Sequence, residues 1–289
     1  MKKFCNISHV MVYMAVTMAL GACADKDPEI VGKRAITIRV SDFAMSFEGG
    51  QAKTSAAEAT DRITVAVFNA AGNSVFSETQ QRADSAAYDT YGVFDLTLND
   101  GVYTLVAVGY RTLGTLSITS PTTASFTGGI PDCYVGTQTL TVGPGNNGTI
   151  AMTLNRPVAR FSVCDTLNPF PASVYILETR FSSGSSGFNP TTGFAISNTG
   201  YTRSMYTSSI TYVHPNFNYH IFLNAESQSM DVTITCRDSE GHVNYQKTIP
   251  SVPLRRNYAT RAVGPLFGTS AATSFTFNTT FAGDTSIAF

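Results

Sequence analysis

The chain contains no tryptophan and little charge: 19 basic and 20 acidic residues among 289, or 13%, leave a formal net charge of −1. Soluble domains average about 25% charged residues, and here Ser, Thr, Asn and Gly take their place. Without a basic excess or a Lys/Arg cluster there is no electrostatic footprint for nucleic acid, so no nucleic-acid partner is expected. The acidic residues stand singly, and no carboxylate pair for glycoside hydrolysis can be nominated. No Gly-x-Ser-x-Gly elbow occurs, and no Cys/His pair has zinc-site spacing. These absences argue against an enzyme and against a bound cofactor. A sustained 3.6-residue apolar period is missing too, which excludes long amphipathic helices.

What is present begins at the N-terminus. Lys2 and Lys3 precede an apolar run over residues 10–22, and no further charge follows until Asp25. The run is too short for an ordinary membrane span and ends in small residues, the pattern of a secretory signal. Leu20-Gly21-Ala22-Cys23 resembles the lipobox of bacterial lipoproteins. That resemblance implies a signal peptide over 1–22, a diacylglycerol on the Cys23 thiol, and an outer membrane reached through that lipid. Residues 23–34 then read as a polar tether. Cys133, Cys164 and Cys236 are left in an oxidising compartment. They are either buried thiols or one disulfide and one leftover.

From Ala35 onward apolar residues alternate at period two. Ile36, Ile38 and Val40 share one face of a first strand. Ile63, Val65 and Val67 share one face of a second, which ends in the turn residues Asn69-Ala70-Ala71-Gly72-Asn73. Phe94, Leu96 and Leu98 lead into Asn99-Asp100-Gly101, a hairpin signal. In the strand after it, Tyr103, Leu105 and Ala107 oppose Val102, Val106 and Val108. Further strands are expected over 133–142 and 149–154. A second block places them over 156–163, 173–181, 209–213, 219–225, 230–236, 243–249 and 257–267. A Ser/Gly/Asn-rich loop is expected over 182–200, and Asp238-Ser239-Glu240-Gly241 reads as a hairpin turn. The pattern predicts an all-β chain of two tandem Ig-like β-sandwich domains, 35–155 and 156–268, with a tail over 269–289.

Gly143-Pro144-Gly145-Asn146-Asn147-Gly148 has the spacing of a dinucleotide-binding loop, but an alternating strand pattern over 149–154 follows it instead of a helix. A turn is therefore expected. His214, His220 and His242, with Asp238 and Glu240, are the residues that suggest a metal; they lack ligand spacing, and no metal is expected. Arg34, just before the first strand, and Arg39, inside it, are candidate cleavage sites for an Arg-specific protease, or solvated surface. In the tail, Phe275, Phe277, Phe281, Ile287 and Phe289 share one parity. Such a face fills an apolar groove of another chain as a donor strand, packs on its own domain, or belongs to a loose end. The Tyr-rich stretch 201–219 is where exposed aromatics would stack on a sugar.

Residues 63–72 (ITVAVFNAAG) and 101–109 (GVYTLVAVG) resemble the N-terminal domain of fimbrillin-type pilus proteins. Residues 158–161 (VARF) resemble the opening strand of that family's second domain, and 254–260 (LRRNYAT) with 264–267 (GPLF) its closing strand. The likeness runs from Ala35 to Phe267 and is nearest the lipoprotein branch of anchoring and minor subunits. It implies transthyretin-like sandwiches, other fimbrial subunits as partners, a place in a cell-surface fimbrium, and no catalysis. It also implies that stalk subunits lose an N-terminal strand after an Arg and accept a neighbour's C-terminal strand, whereas an anchor keeps that strand together with Cys23. Asp84-Ser85-Ala86 and Asp165-Thr166-Leu167 resemble O-glycosylation sequons of pilus-bearing anaerobes. A surface glycan- or ligand-binding lipoprotein built from the same sandwiches is the rival class.

Overall fold

The computed structural model describes residues 32–45, 52–54, 60–87, 90–145, 148–165, 171–207, 216–264, 266, 276–277 and 284–288. No α-helix occurs among them. The first half supplies β1 (Lys33–Met45), β2 (Ala52–Thr54), β3 (Arg62–Asn69), β4 (Ser74–Gln81) and β5 (Val93–Asn99). It continues with β6 (Gly101–Tyr110), β7 (Thr115–Ser120), β8 (Thr123–Thr127), β9 (Cys133–Val142) and β10 (Gly148–Asn155). Antiparallel pairing orders one sheet β9–β6–β3–β4. In the facing sheet, β1 runs antiparallel to β5 and parallel to β10, and β2 pairs with its last residues.

Among the described residues, only the strand pair Asn155–Val135 joins the two sheets through the backbone. Gly136 permits that junction, since a Cβ there would stand 2.7 Å from the Thr153 carbonyl oxygen. Side chains of both sheets meet in one core: Ile36, Ile38 and Val40 of β1 against Ile63, Val65 and Val67 of β3 and Leu105 of β6. Period-two alternation is what turns each set inward.

The second half supplies β11 (Val158–Asp165), β12 (Ile176–Phe181), β13 (Gly187–Phe188), β14 (Tyr201–Tyr206) and β15 (Asn216–Phe222). After these come β16 (Ser227–Arg237), β17 (Val243–Arg255), β18 (Ala259–Gly264), β19 (Thr276–Phe277) and β20 (Asp284–Ala288). Its strand order repeats that of the first half. The sheet β17–β16–β12–β14 is antiparallel and matches β9–β6–β3–β4. The sheet β15–β11–β18, antiparallel and then parallel, matches β5–β1–β10. Phe161, Leu177, Phe181, Ile234 and Val252 are among the residues of its core. Outside the repeat, β20 lies parallel to β18, and β19 antiparallel to β20.

A third apolar cluster joins the halves. Ala66, Phe68, Val106 and Val108, on the outward face of β3 and β6, are covered by Phe126 of β8, Phe188 of β13 and Phe222 of β15. Phe188 and Phe222 stack 4.3 Å apart between ring centres, 13° from parallel. This is why β6 is apolar on both faces: one serves the first core and the other the junction.

Several expectations are corrected. Asn99-Asp100-Gly101 is not the turn of a hairpin, because β5 pairs with β1 while β6 pairs with β3 and β9. The segment 182–200 is more than a loop: it contributes β13, which pairs with β8. The hairpin β7–β8 had no reading in the sequence. β17 extends to Arg255 rather than 249, and the strand expected at 209–213 lies outside the described residues. By contrast, Asp238 to Gly241 does turn between paired strands, and β10 follows the Gly/Pro/Asn turn as a strand.

Candidate functional site

Lys33 and Arg34 belong to β1, not to a tether before it. Arg34 stands opposite Leu98 of β5. Its Nε donates to Asp100 Oδ1 at 3.0 Å, and the Asp100 N–H donates to the Gly32 carbonyl at 2.9 Å. The hydrogen bond and charge of Asp100 raise the Arg34 pKa, and the hydrogen bond from Arg34 holds Asp100 below the usual carboxylate value. Arg39 is exposed and flanked on both sides, by Val93 and by Ala151. Pairing with β10 begins only at Ile36. The peptide bond after Arg34 therefore has a neighbouring strand on one side, and the bond after Arg39 on two.

β1 also buries Ile36, Ile38, Val40 and Phe43. At about 2 kcal/mol for each buried side chain, that is roughly 8 kcal/mol of gross stabilisation. A domain's net stability is about 5–15 kcal/mol. The chain can give up β1 only if another strand takes its seat. At the other end, Ile287 in β20 pairs with Ala262 of its own chain's β18, and Phe277 lies in β19. Cys23, Phe275, Phe281 and Phe289 lie outside the described residues.

Between the halves, the Arg156 guanidinium is buried. It donates to both Asp132 oxygens at 2.7 and 3.0 Å, to the Tyr134 hydroxyl, and to Asn257 Oδ1 at 3.5 Å. Asn257 has a left-handed backbone (φ 62°), and its N–H donates to the Val158 carbonyl at 2.9 Å. Beside them a cleft of about 490 Å³ is lined by Thr137, Thr153, Asn155, Arg156, Thr192 and Arg256, among others. Its charges are spent internally: Arg256 pairs with Glu226 at 3.0 Å and donates to the Thr192 carbonyl at 2.7 Å. The cleft is a structural seam.

The sequence profile of DUF6562, a family of unknown function, matches residues 34–288. The chain belongs to DUF6562. Solved structures similar to this DUF6562 chain include a candidate adhesin from Bacteroides ovatus, with a TM-score of 0.49 and 16% identity over 76% of this chain and 79% of that one. Another is the fimbrial anchor protein Mfa2 from Porphyromonas gingivalis, at 0.41 and 13% over 75% and 82%. A fimbrial assembly protein from Parabacteroides distasonis matches at 0.37 and 12% over 83% and 93%. No curated protein sequence matches the chain.

The remaining sequence candidates of the DUF6562 chain fall apart in space. His242 and Asp238 meet at 3.2 Å in an exposed turn, where Asp238 Oδ1 accepts the Glu240 and His242 N–H groups. His220 sits in β15, and His214 lies outside the described residues. Among the described residues no cluster of three or more His, Cys, Asp or Glu is arranged for a metal. Tyr201 packs on the second core and Tyr219 is buried, so among the described residues of the Tyr-rich stretch Tyr206, 58% exposed, is the tyrosine most open to solvent. Tyr206 meets exposed Tyr175 edge to face at 5.8 Å, a platform the sequence reading placed only by its neighbourhood. Cys133 is a buried free thiol, which burial pushes well above its ordinary pKa. Cys236 is buried too, and Cys164 lies in β11. Asp84 and Ser85 fall in a short 3-10 segment, Arg82–Ala87; the second sequon runs out of the described residues at Thr166.

Proposed function

We propose that this chain is a non-enzymatic fimbrial lipoprotein, an anchor or accessory subunit, built from two tandem transthyretin-like sandwiches. Lipid on Cys23 holds it in the outer membrane, and it assembles with other fimbrial subunits by exchange of β-strands. The observation that carries this reading is the place of β1: an N-terminal strand wedged between β5 and β10, its first Arg held to Asp100. Cys23 precedes that strand by ten residues, a span of at most about 35 Å. A chain that keeps β1 keeps its lipid. One cleaved after Arg34 loses both, and its exposed β5 and β10 edges gain main-chain hydrogen bonds from a neighbour's strand.

Mass analysis of the protein purified from its own cells tests the reading. An intact, lipidated N-terminus in a pilus fraction supports an anchor, and a chain beginning at Ala35 supports a polymerising subunit. Absence from pilus fractions overturns the fimbrial reading. The Tyr175–Tyr206 pair favours a second reading, a surface glycan-binding lipoprotein in which those rings stack on sugar. Glycan capture that Tyr206→Ala abolishes, by a protein absent from pili, would put this reading first.

A further inference from the structure

The strand-for-strand repeat exposes one difference between the halves. In the second half, the edge of β18 that faces away from β11 carries β20, parallel and in register from Ala259–Asp284 to Val263–Ala288. The corresponding edge of β10, facing away from β1, has no partner strand over Gly148–Leu154 among the described residues. Backbone pairing with β9 is confined, among the described residues, to the last residue, Asn155, and Gly136 of β9 lies against Thr153 and Leu154. Leu140 of β9 and Ile150 of β10 are each only partly buried against the first core.

This edge lacks the devices that keep strands from pairing with other chains, which include charge, proline and bulges. β10 reads GTIAMTLN, with neither charge nor proline. The edge strand β17, by comparison, carries Lys247, Pro250 and Pro253 and a left-handed Ser251 (φ 51°). The edge strand β14 carries Arg203.

We infer that the open edge of β10 is an acceptor for the C-terminal strand Asp284–Ala288 of a second copy of this chain, added parallel to β10 while β1 stays in place. The inference deepens the strand-exchange reading and rests on it. The fit is argued from the molecule itself, since this strand already lies parallel on the equivalent edge of β18. Leaving β18 for a neighbour's β10 exchanges one set of main-chain pairs for another. The gain is the cover given to Leu140 and Ile150. Tail of one copy on β10 of the next is a heterologous contact, which links copies head to tail.

The test uses full chains whose mass shows β1 uncleaved. One population carries Ser286→Cys, and the other carries Thr149→Cys, Ala151→Cys or Thr153→Cys in turn, to allow for a slip in register. Mild oxidation of the mixture should give a disulfide-linked pair of copies. Excess peptide of residues 274–289 should reduce that product more than tenfold. The proposal is overturned if no link forms at any of the three positions, or if the peptide leaves the yield unchanged. It is equally overturned if copies link only between Ser286→Cys and Arg261→Cys, which would seat the exchanged tail on β18. A chain that enters pili yet never links through β10 loses this acceptor and keeps the fimbrial reading.

Discussion

Arg156 and Asp132 face each other fork to fork, Nε and Nη2 donating to the two carboxylate oxygens at 2.7 and 3.0 Å. The arginine side chain is 2% exposed, and its guanidinium lies 4.7 Å from the centre of the Tyr134 ring. It follows directly after β10, so the pair ties the end of the first half to the start of the second. Removing one member of a buried pair leaves the other uncompensated, at about 3–5 kcal/mol. Asp132 is 21% exposed, which moderates the cost. Arg156→Ala should destabilise the chain by about 3 kcal/mol in urea denaturation. Arg156→Lys should recover less than half, because a point charge cannot reproduce the fork. Wild-type stability in the alanine variant would show that the pair does not hold the halves together.

Limited proteolysis should distinguish the two arginines of β1. A protease binds its substrate as an extended strand with free backbone groups. Arg34 is paired on one side, whereas Arg39 is paired on both. Trypsin should therefore cut after Arg34 well before Arg39, as read by mass. Asp100→Ala frees the Arg34 side chain and should speed that first cut several-fold, with little change in thermal stability because the pair is partly open to solvent. Cleavage after Arg39 first would contradict the assigned pairing.

Much of this fold was legible because one face of each strand is buried and the other is not. Ile36, Ile38 and Val40 announce β1, and Ile63, Val65 and Val67 announce β3, through period-two alternation alone. What failed was pairing. Asp100-Gly101 has hairpin chemistry, yet Asp100 instead holds Arg34 of β1 and Gly32 just before it, and β5 and β6 enter different sheets. The hairpin β7–β8 was missed because Thr115–Ser120 and Thr123–Thr127 are Ser/Thr-rich; their few apolar residues, Phe126 above all, serve the junction core. The acceptor edge on β10 is invisible in sequence, since an open edge is defined by what lies beside a strand.

Phe188 offers a test of that junction. It sits in a stretch whose composition reads as a surface loop, yet it is fully buried between Phe126 and Phe222. Phe188→Ala should cost about 3–5 kcal/mol, the range for a core phenylalanine. A surface-loop residue would cost under about 0.5 kcal/mol. Thermal unfolding followed by circular dichroism separates the two outcomes.

His220 makes the junction sensitive to acid. Burial lowers its pKa from 6.5 to about 4; the Asp132 charge opposes that shift, Arg160 and Arg156 reinforce it, and a hydrogen bond to the Ile130 main chain opposes it. The imidazole is therefore neutral in the fold through the range where an unfolded chain would protonate it. Between about pH 6.5 and 4 the unfolded state binds the extra proton, so stability rises with pH across that window. Its contribution is fully present above pH 6.5 and is lost as the pH falls toward 4. Melting temperatures measured from pH 8 to pH 4 should stay level at first and then decline. His220→Gln, which cannot titrate, should flatten the decline between pH 6.5 and 4.5 while leaving the steeper carboxylate-driven loss below it. An unchanged slope in that variant would assign the acid sensitivity to other groups.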